Sequence, residues 1–388
     1  MPFACALSLD PETLRAVGEV LEKAQLTASP DLAVVFFSAH HADAAAEIAA
    51  TLQQRLNPRA LVGCVGESIV GKDREVEDAP ALSLWLAHWG ERVSIEPFHL
   101  TLEQTPDGPS FLGWPDGLLG VDGQHSALLT LGNPFSFPAD LYLGRVTEGH
   151  PGLRVVGGMA SGARDPETNC LVFGGKAVSS GAVGVLLQGL PGLRTVVSQG
   201  CRPIGRPLII TRGEENIILE LGGKSPLVYL QELWQELTPR DQQLVQQGLH
   251  LGLVINEYRD DFRQGDFLVR NVLGIDRNTG ALAITDLIRV GQTVQFHVRD
   301  AATADEDLRA LLQADREAHP NRAAAALLFT CNGRGTRLFP APNHDVEALR
   351  QEAGDLPVAG LFAQGEFGPV AGQNFMHGFT ASVALFEE

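Results

Sequence analysis

The residues best suited to chemistry gather late in the chain, in three short stretches. The first is Thr293–Arg299, which alternates cleanly between apolar and polar side chains. On a strand, Val294, Phe296 and Val298 face one way while Gln295, His297 and Arg299 form a polar ladder on the other. Such a ladder suits a carboxylate, with arginine as a bidentate donor and histidine as a switchable one. The plainer reading is the solvated outer face of an antiparallel sheet. The second stretch is Cys331-Asn332-Gly333-Arg334-Gly335, directly after an apolar run. Glycines on both sides of Arg334 let the backbone turn and present its guanidinium. A cysteine beside an arginine is a candidate for a lowered pKa, as nucleophile or as redox or electrophile sensor, with His297 or His377 as base. Its alternative is a small hydrophobe ending a strand, with Arg334 serving as a cap or carboxylate partner. The third stretch is Gly365-Glu366 with His377: Glu366 can accept an ammonium and His377 can complete a polar cluster with Arg334, or both can serve loop amides and carbonyls.

These stretches sit in a pattern that occurs three times. An apolar strand reaches a glycine turn, passes through a glycine-rich polar loop and returns as a second apolar strand. The copies start at Leu61-Val62-Gly63-Cys64, at Val155-Val156-Gly157-Gly158 and at Leu356-Pro357-Val358-Ala359-Gly360. They rejoin apolar sequence near residues 82–86, 182–186 and 382–386. Repetition of a strand–loop–strand unit implies duplicated lobes with loops where a ligand can approach backbone amides. Each copy is preceded by strand and helix signals: strands at 31–38, 126–132 and 323–330, and helices at 40–56, 137–147 and 344–352. At the start, a strand at 3–9 leads into a helix with Asp10 as N-cap and Pro11 at its first position. The middle differs, with helices at 227–236 and 239–247, strands near 251–255 and 267–273, and a hairpin of 281–286 with 293–299 turning at 289–291. The expected architecture is α/β, with two or more pseudo-repeated lobes of mixed β-sheets covered by helices; a layered αββα-type sandwich is one such form.

Several candidates carry less. Gly66-Glu67 repeats the Gly-Glu pair of the last loop, as a degenerate second site or a structural loop, whereas the second copy reads Gly158-Met159-Ala160-Ser161-Gly162 without a carboxylate. His40-His41 lacks companion ligands at zinc spacing. Asp345, after His344, reads as a helix N-cap. The run from Lys72 to Glu77 reads as a solvated mixed-charge turn. Nucleotide-loop, nucleophile-elbow and HExxH motifs are missing from the sequence, so neither a cofactor nor a metal is expected.

Composition narrows the classes further. The 388 residues are 44% hydrophobic and 20% charged, which fits a large buried core split between domains. A net charge of −18 with no basic run disfavours nucleic acid and anionic membranes. The start has no signal-peptide pattern and no stretch is apolar enough for a membrane span. Five cysteines at irregular spacings suit a reducing, cytoplasmic setting.

The sequence resembles the FIST family of sensory proteins, which carry an N-terminal and a C-terminal FIST region. The resemblance is closest through Asn216-Ile217-Ile218-Leu219, Gly222-Gly223-Lys224, Gly248-Leu249-His250-Leu251-Gly252, Gly265-Asp266-Phe267, Gln295-Phe296-His297-Val298-Arg299-Asp300, Cys331-Asn332-Gly333-Arg334-Gly335 and the last Gly-Glu-Phe-Gly-Pro segment. It is looser in the first half, through Val34-Val35-Phe36-Phe37-Ser38 and Gly63-Cys64. It implies an N-terminal region over 1–220 and a C-terminal region over 221–388. It also implies a small-molecule sensor whose ligand is an amino acid or related carboxylate. The expected ligand-binding residues are Gln295, His297, Arg299, Cys331, Arg334, Gly335, Gly365, Glu366 and His377, and a separate partner protein is expected to carry the output. An adaptor with a vestigial pocket is the alternative from the family's ubiquitin-ligase members.

Overall fold

The computed structural model describes residues 2–106, 108–259 and 261–388. It divides into two compact units: residues 2–197 with 308–388, and residues 198–307. The expected boundary between residues 220 and 221 lies within the second unit.

Three repeats build the first unit. Repeat one runs β1 (Phe3–Ser8), α1 (Thr13–Lys23), β2 (Leu32–Ser38), α2 (Ala45–Leu56), β3 (Ala60–Gly66), the short pair β4 (Ile69–Gly71) and β5 (Arg74–Val76), then β6 (Leu82–Ala87). Repeat two runs β7 (Ser94–Thr105), β8 (Gly108–Leu112), β9 (Ser126–Gly132), α3 (Ala139–Gly149), β10 (Arg154–Met159), the pair β11 (Leu171–Phe173) and β12 (Lys176–Val178), then β13 (Ala182–Gln188). After β14 (Leu193–Gln199) the chain forms the second unit from β15 (Cys201–Glu214), β16 (Ile217–Leu221), α4 (Pro226–Glu236), α5 (Pro239–Gln247), β17 (Leu249–Val254), β18 (Phe267–Ile275), β19 (Leu282–Ile284) and β20 (Thr293–Arg299). Following α6 (Ala301–Ala318), repeat three completes the chain with β21 (Ala325–Cys331), α7 (His344–Ala353), β22 (Val358–Ala363), the pair β23 (Glu366–Val370) and β24 (Gln373–His377), and β25 (Thr380–Phe386).

Each repeat makes one sheet, and each lends its short pair to a neighbour. The orders are β1-β6-β2-β3-β11-β12, β24-β23-β10-β9-β13-β7-β8 and β14-β25-β21-β22-β4-β5. The pair from repeat one therefore extends the sheet of repeat three, that from repeat two joins repeat one, and that from repeat three joins repeat two. In each sheet the two strands flanking a helix run parallel: β2 with β3, β9 with β10, β21 with β22. Apolar inner faces explain the assembly. Val34, Phe36, Val62, Leu129, Leu131, Val156, Leu327, Phe329 and Leu361 form one core from all three sheets, with Phe36 and Phe329 edge to face at 6.0 Å. Tyr142, Leu143 and Val146 of α3 pack in a second apolar cluster with Leu128 and Val155, and Val346 and Leu349 of α7 in a third with Leu328 and Val358. The expectation of mixed α/β repeats covered by helices is met, and the sheets that share an inner core number three.

Glycine fixes the pairing in all three copies. A Cβ at Gly63, Gly157 or Gly360 would lie 2.2, 1.9 or 1.8 Å from the carbonyl oxygens of Val35, Thr130 and Leu328. These are the glycines that mark the repeat in the sequence, and only a missing side chain admits that backbone approach.

In the second unit six strands close into a barrel, β15-β16-β19-β18-β17-β20. The sequence expectation of a hairpin between 281–286 and 293–299 is corrected here. The strand over 282–284 pairs with β16 and β18, whereas β20 pairs with β15 and β17. A smaller correction concerns α1. Its N-cap is Glu12, whose carboxylate accepts from the Leu14 and Arg15 amides at 3.0 Å each, while Asp10 accepts from the Glu12 amide.

Candidate functional site

The polar ladder and the late loops fall in different units. In the second unit, Gln295 and His297 are buried rather than solvated. The Gln295 amide donates to the Gly205 carbonyl at 3.0 Å, and His297 Nδ1 lies 3.0 Å from the Gln295 carbonyl. The His297 ring meets Phe267 edge-on at 4.8 Å and fills the space that Gly252 leaves by having no side chain. Burial, with the neighbouring His250, pushes the His297 pKa down to about 4, so the ring is neutral at physiological pH. Arg299, at the strand end, is half-buried.

In the first unit the late loops form a buried polar layer at the carboxyl ends of β21 and β22. Arg334 is fully buried and holds Asp345 in a fork, Nε and Nη2 each donating to one carboxylate oxygen at 2.7 Å. Thr330 donates to the same carboxylate at 2.5 Å, and His344 Nδ1 lies 2.9 Å from it. The His344 ring stacks on Phe339 at 3.4 Å, and the Arg334 guanidinium sits 5.2 Å over the same ring. Burial alone would raise Asp345, but the Arg334 charge and these hydrogen bonds hold it well below the usual carboxylate range. Asp345 is thus an ion-pair partner; the residue at the N-cap position of α7 is Asn343, in the left-handed region at φ 66°.

Glu75 joins this layer from the lent pair of repeat one, which corrects the reading of 72–77 as a solvated turn. Its Oε1 accepts from the Val346 amide at 2.9 Å and its own amide donates to Asn343 at 2.7 Å. Burial and the adjacent Asp345 charge push its carboxyl up to about 8. Glu366 is wholly buried, with one oxygen accepting from the Thr380 amide at 3.3 Å; burial carries its pKa well above the carboxylate range despite Arg334 and the Cys331 thiol. The expectation of a lowered Cys331 pKa is overturned. Burial and Glu366 push the thiol up to about 12, although the Gly333 amide donates to the sulfur at 3.4 Å. His377 Nε2 lies 3.0 Å from the Gly368 carbonyl. Gly335, at φ 58°, has room for no Cβ: one would sit 2.7 Å from Glu77 and from Phe362.

Above this layer lies an open cleft of about 540 Å³, lined by Ala39, His40, Glu67, Asp78, Ser161–Arg164, Asn332 and Gln364. Every repeat contributes. Counting four residues past Gly63, Gly157 and Gly360 gives Glu67, Ser161 and Gln364, and all three line the cleft. The repeat thus aligns Glu67 with Gln364, not with Glu366. Asn332 and Gln364 adjoin Cys331 and Gly365, so the late loops do reach the cleft through their neighbours. Ser161 is fixed by donating to the Phe362 carbonyl and accepting from the Glu67 amide at 2.9 Å. Glu67 pairs with Arg337, Arg164 is exposed and makes no ion pair among the described residues, and the buried Asn332 Oδ1 has no hydrogen-bond partner among them. A carboxyl-end position is where open α/β sheets bind ligands. The described residues hold no cluster of metal-ligating side chains, and no helix among them is long and apolar enough to cross a membrane.

Three strand–helix–strand repeats joined by exchanged strand pairs, with a shared polar cleft at their strand ends, define a three-repeat class of α/β scaffold. The chain belongs to the FIST family: its residues 31–224 match the FIST N domain and residues 227–369 the FIST C domain. FIST domains are associated with sensory and signal-transduction roles. The chain is similar to uncharacterized protein Mb0898c of Mycobacterium bovis, 43% identical over 358 residues that cover 92% of this chain and 91% of the relative. It is also similar to uncharacterized protein Rv0628c of Mycobacterium tuberculosis, 41% identical over 389 residues that cover both chains in full.

Proposed function

We propose that this protein is a cytoplasmic small-molecule sensor whose ligand is an amino acid or closely related small carboxylate, held in the three-repeat cleft. The observation that carries the reading is the convergence of all three repeats on one open cleft of mixed charge. Arg164 supplies an exposed guanidinium for a carboxylate, Glu67 and Asp78 supply acceptors for an ammonium, and Asn332 and Gln364 supply amides. The buried layer beneath supports this arrangement by fixing the strand ends: Arg334 is forked to Asp345 through Nε and Nη2, and Cys331 and Glu366 lie in the loops that present Asn332 and Gln364. A neutral thiol at Cys331 weighs against the covalent alternative. Output then passes through a separate partner protein.

A thermal-shift screen of amino acids, other carboxylates and amines tests the reading. A ligand that binds only the folded chain raises the melting temperature with concentration. Stabilisation by amino acids that is lost in Arg164→Ala supports it. Stabilisation unchanged in Arg164→Ala and Asn332→Ala removes the cleft as the site, and a screen without any stabiliser favours the adaptor role.

A further inference from the structure

The three sheets of the first unit end on open strands: β1 and β12, β24 and β8, β14 and β5. An open strand edge pairs readily with another chain unless a charge, a proline or a covering contact blunts it. All but β1 are blunted. β12 opens on the exposed Lys176, and β14 carries Arg194. β8 carries Pro109, whose carbonyl accepts from Arg145 at 2.6 Å. The Asn374 amide of β24 donates to Thr147 at 3.2 Å, and the Glu75 amide of β5 donates to Asn343 at 2.7 Å. β1 has no charged residue and no proline between Phe3 and Ser8, and no side chain takes its amides among the described residues.

The outward groups of β1 follow from its register. It pairs with β6, Phe3 opposite Ala87 and Leu7 opposite Ser83. The His88 amide donates to the Pro2 carbonyl at 2.7 Å, so the alternation of an antiparallel ladder turns Ala4, Ala6 and Ser8 towards β6. The N–H and C=O groups of Phe3, Cys5 and Leu7 therefore point away from the sheet. Beside them lies a groove of about 610 Å³, lined by residues 5–7, by α1 and by the turn from β4 to β5. Leu9, 45% exposed, stands in the same groove. Its charges balance: Asp10, Glu19 and Asp73 are matched by Lys23, Lys72 and Arg74, a neutral strip on a chain of net charge −18.

We propose that this edge pairs with the same edge of a second copy of the chain, antiparallel about a two-fold axis at Cys5, so that two sheets become one. Cys5 then faces its own symmetry copy and Phe3 faces Leu7, each donating and accepting one main-chain hydrogen bond. Charge favours a second copy over an unrelated strand. β1 and β2 both run antiparallel to β6, so α1 between them runs back along β1. The Ser8 hydroxyl donates to Glu19 at 3.1 Å and fixes it at the Ser8 end, and Lys23 lies one turn further back. The axis lays the two α1 helices antiparallel, which brings Glu19 of each copy to Lys23 of the other. A neutral strip also lets two strongly acidic molecules approach. The interface shares no residue with the amino-acid cleft and does not depend on it.

Sedimentation equilibrium of the full chain from about 1 to about 100 μM tests the proposal. Reversible monomer–dimer exchange is expected, with slowed amide exchange in residues 3–8 at the higher concentration. Cys5→Pro removes an outward N–H, leaves the bonds to β6 in place and abolishes the dimer. Lys23→Glu, at an exposed position, sets like charges together and raises the dissociation constant about threefold or more, and adding Glu19→Lys restores it. The charge reversal decides the matter even where proline weakens the fold. A monomer throughout the range, a dimer without added protection in residues 3–8, or a dimer indifferent to Lys23→Glu would each overturn the assignment.

Discussion

The first and third repeats close their parallel strand pairs on the same backbone plan and fill the ends in opposite ways. In repeat one the strand ends carry His40 and Glu67, open to the cleft, and Glu67 pairs with Arg337 in a largely exposed ion pair. In repeat three they carry Thr330, Cys331, Arg334 and Glu366, in a layer where Arg334 and Asp345 are wholly out of water. The same kinds of charge stand open to solvent at one end and serve cohesion at the other, and burial decides which. A glycine-bearing backbone can be repeated while its polar content diverges.

The largest effect should come from breaking the buried side of that comparison. Arg334→Ala strands Asp345 without its counter-charge and should cost about 3–5 kcal/mol by denaturant unfolding. Arg337→Ala, which removes the exposed pair, should cost about 0–1 kcal/mol. Equal costs would mean that burial does not separate the two ends.

Next in size are the glycines that make the ends alike. Gly63→Ala, Gly157→Ala and Gly360→Ala each push a methyl group into a strand carbonyl, at a cost on the order of 1–3 kcal/mol or more. Gly157→Ala should be worst, since its φ of 134° is also hostile to alanine. A variant of the three that unfolds like wild type would remove its site from the repeat.

Those glycines also mark how far the sequence could be read. The strand-glycine starts at 63, 157 and 360 were legible because a backbone contact leaves no choice of residue. The exchange of strand pairs was not, because β4 is three residues long and its partner β22 lies almost three hundred positions away; nothing local encodes that pairing. The same distance hid Glu75, which lies in the mostly charged run from Lys72 to Glu77 and whose neighbours in space include Asp345 and Arg334. The burial of the polar ladder was not legible either: alternation told the two faces of β20 apart, but Phe267 and the bare Gly252 cover the His297 face as well as the apolar one. The Cys331–Arg334 loop was found by residue type, yet only its neighbour Asn332 reaches the cleft.

Acid–base behaviour sharpens the comparison with smaller effects. Asp345 has a depressed folded pKa, so its stabilisation is present above about pH 4 and is lost as pH falls below it. Glu75 is raised, so the folded state binds its proton more tightly than the unfolded one, and stability falls as pH rises from about 4.3 towards 8. Within that window the slope attributable to Glu75 is up to about 1.4 kcal/mol per pH unit, and Glu75→Gln should remove it. An unchanged slope in the variant would show that Glu75 is not held protonated. Smallest of all, Cys331 should react with iodoacetamide far more slowly in the folded protein than after unfolding, as measured by mass spectrometry. Prompt labelling of the native thiol would revive the covalent alternative.

The measurement that tests the central claim most directly is hydrogen exchange of the full chain with and without a saturating mixture of amino acids. The three-repeat cleft predicts added protection in all three of its loops at once, around residues 39–40 and 67, 161–164, and 332 with 364. Protection confined to the barrel strand at 293–299, or none in any cleft loop, would contradict it.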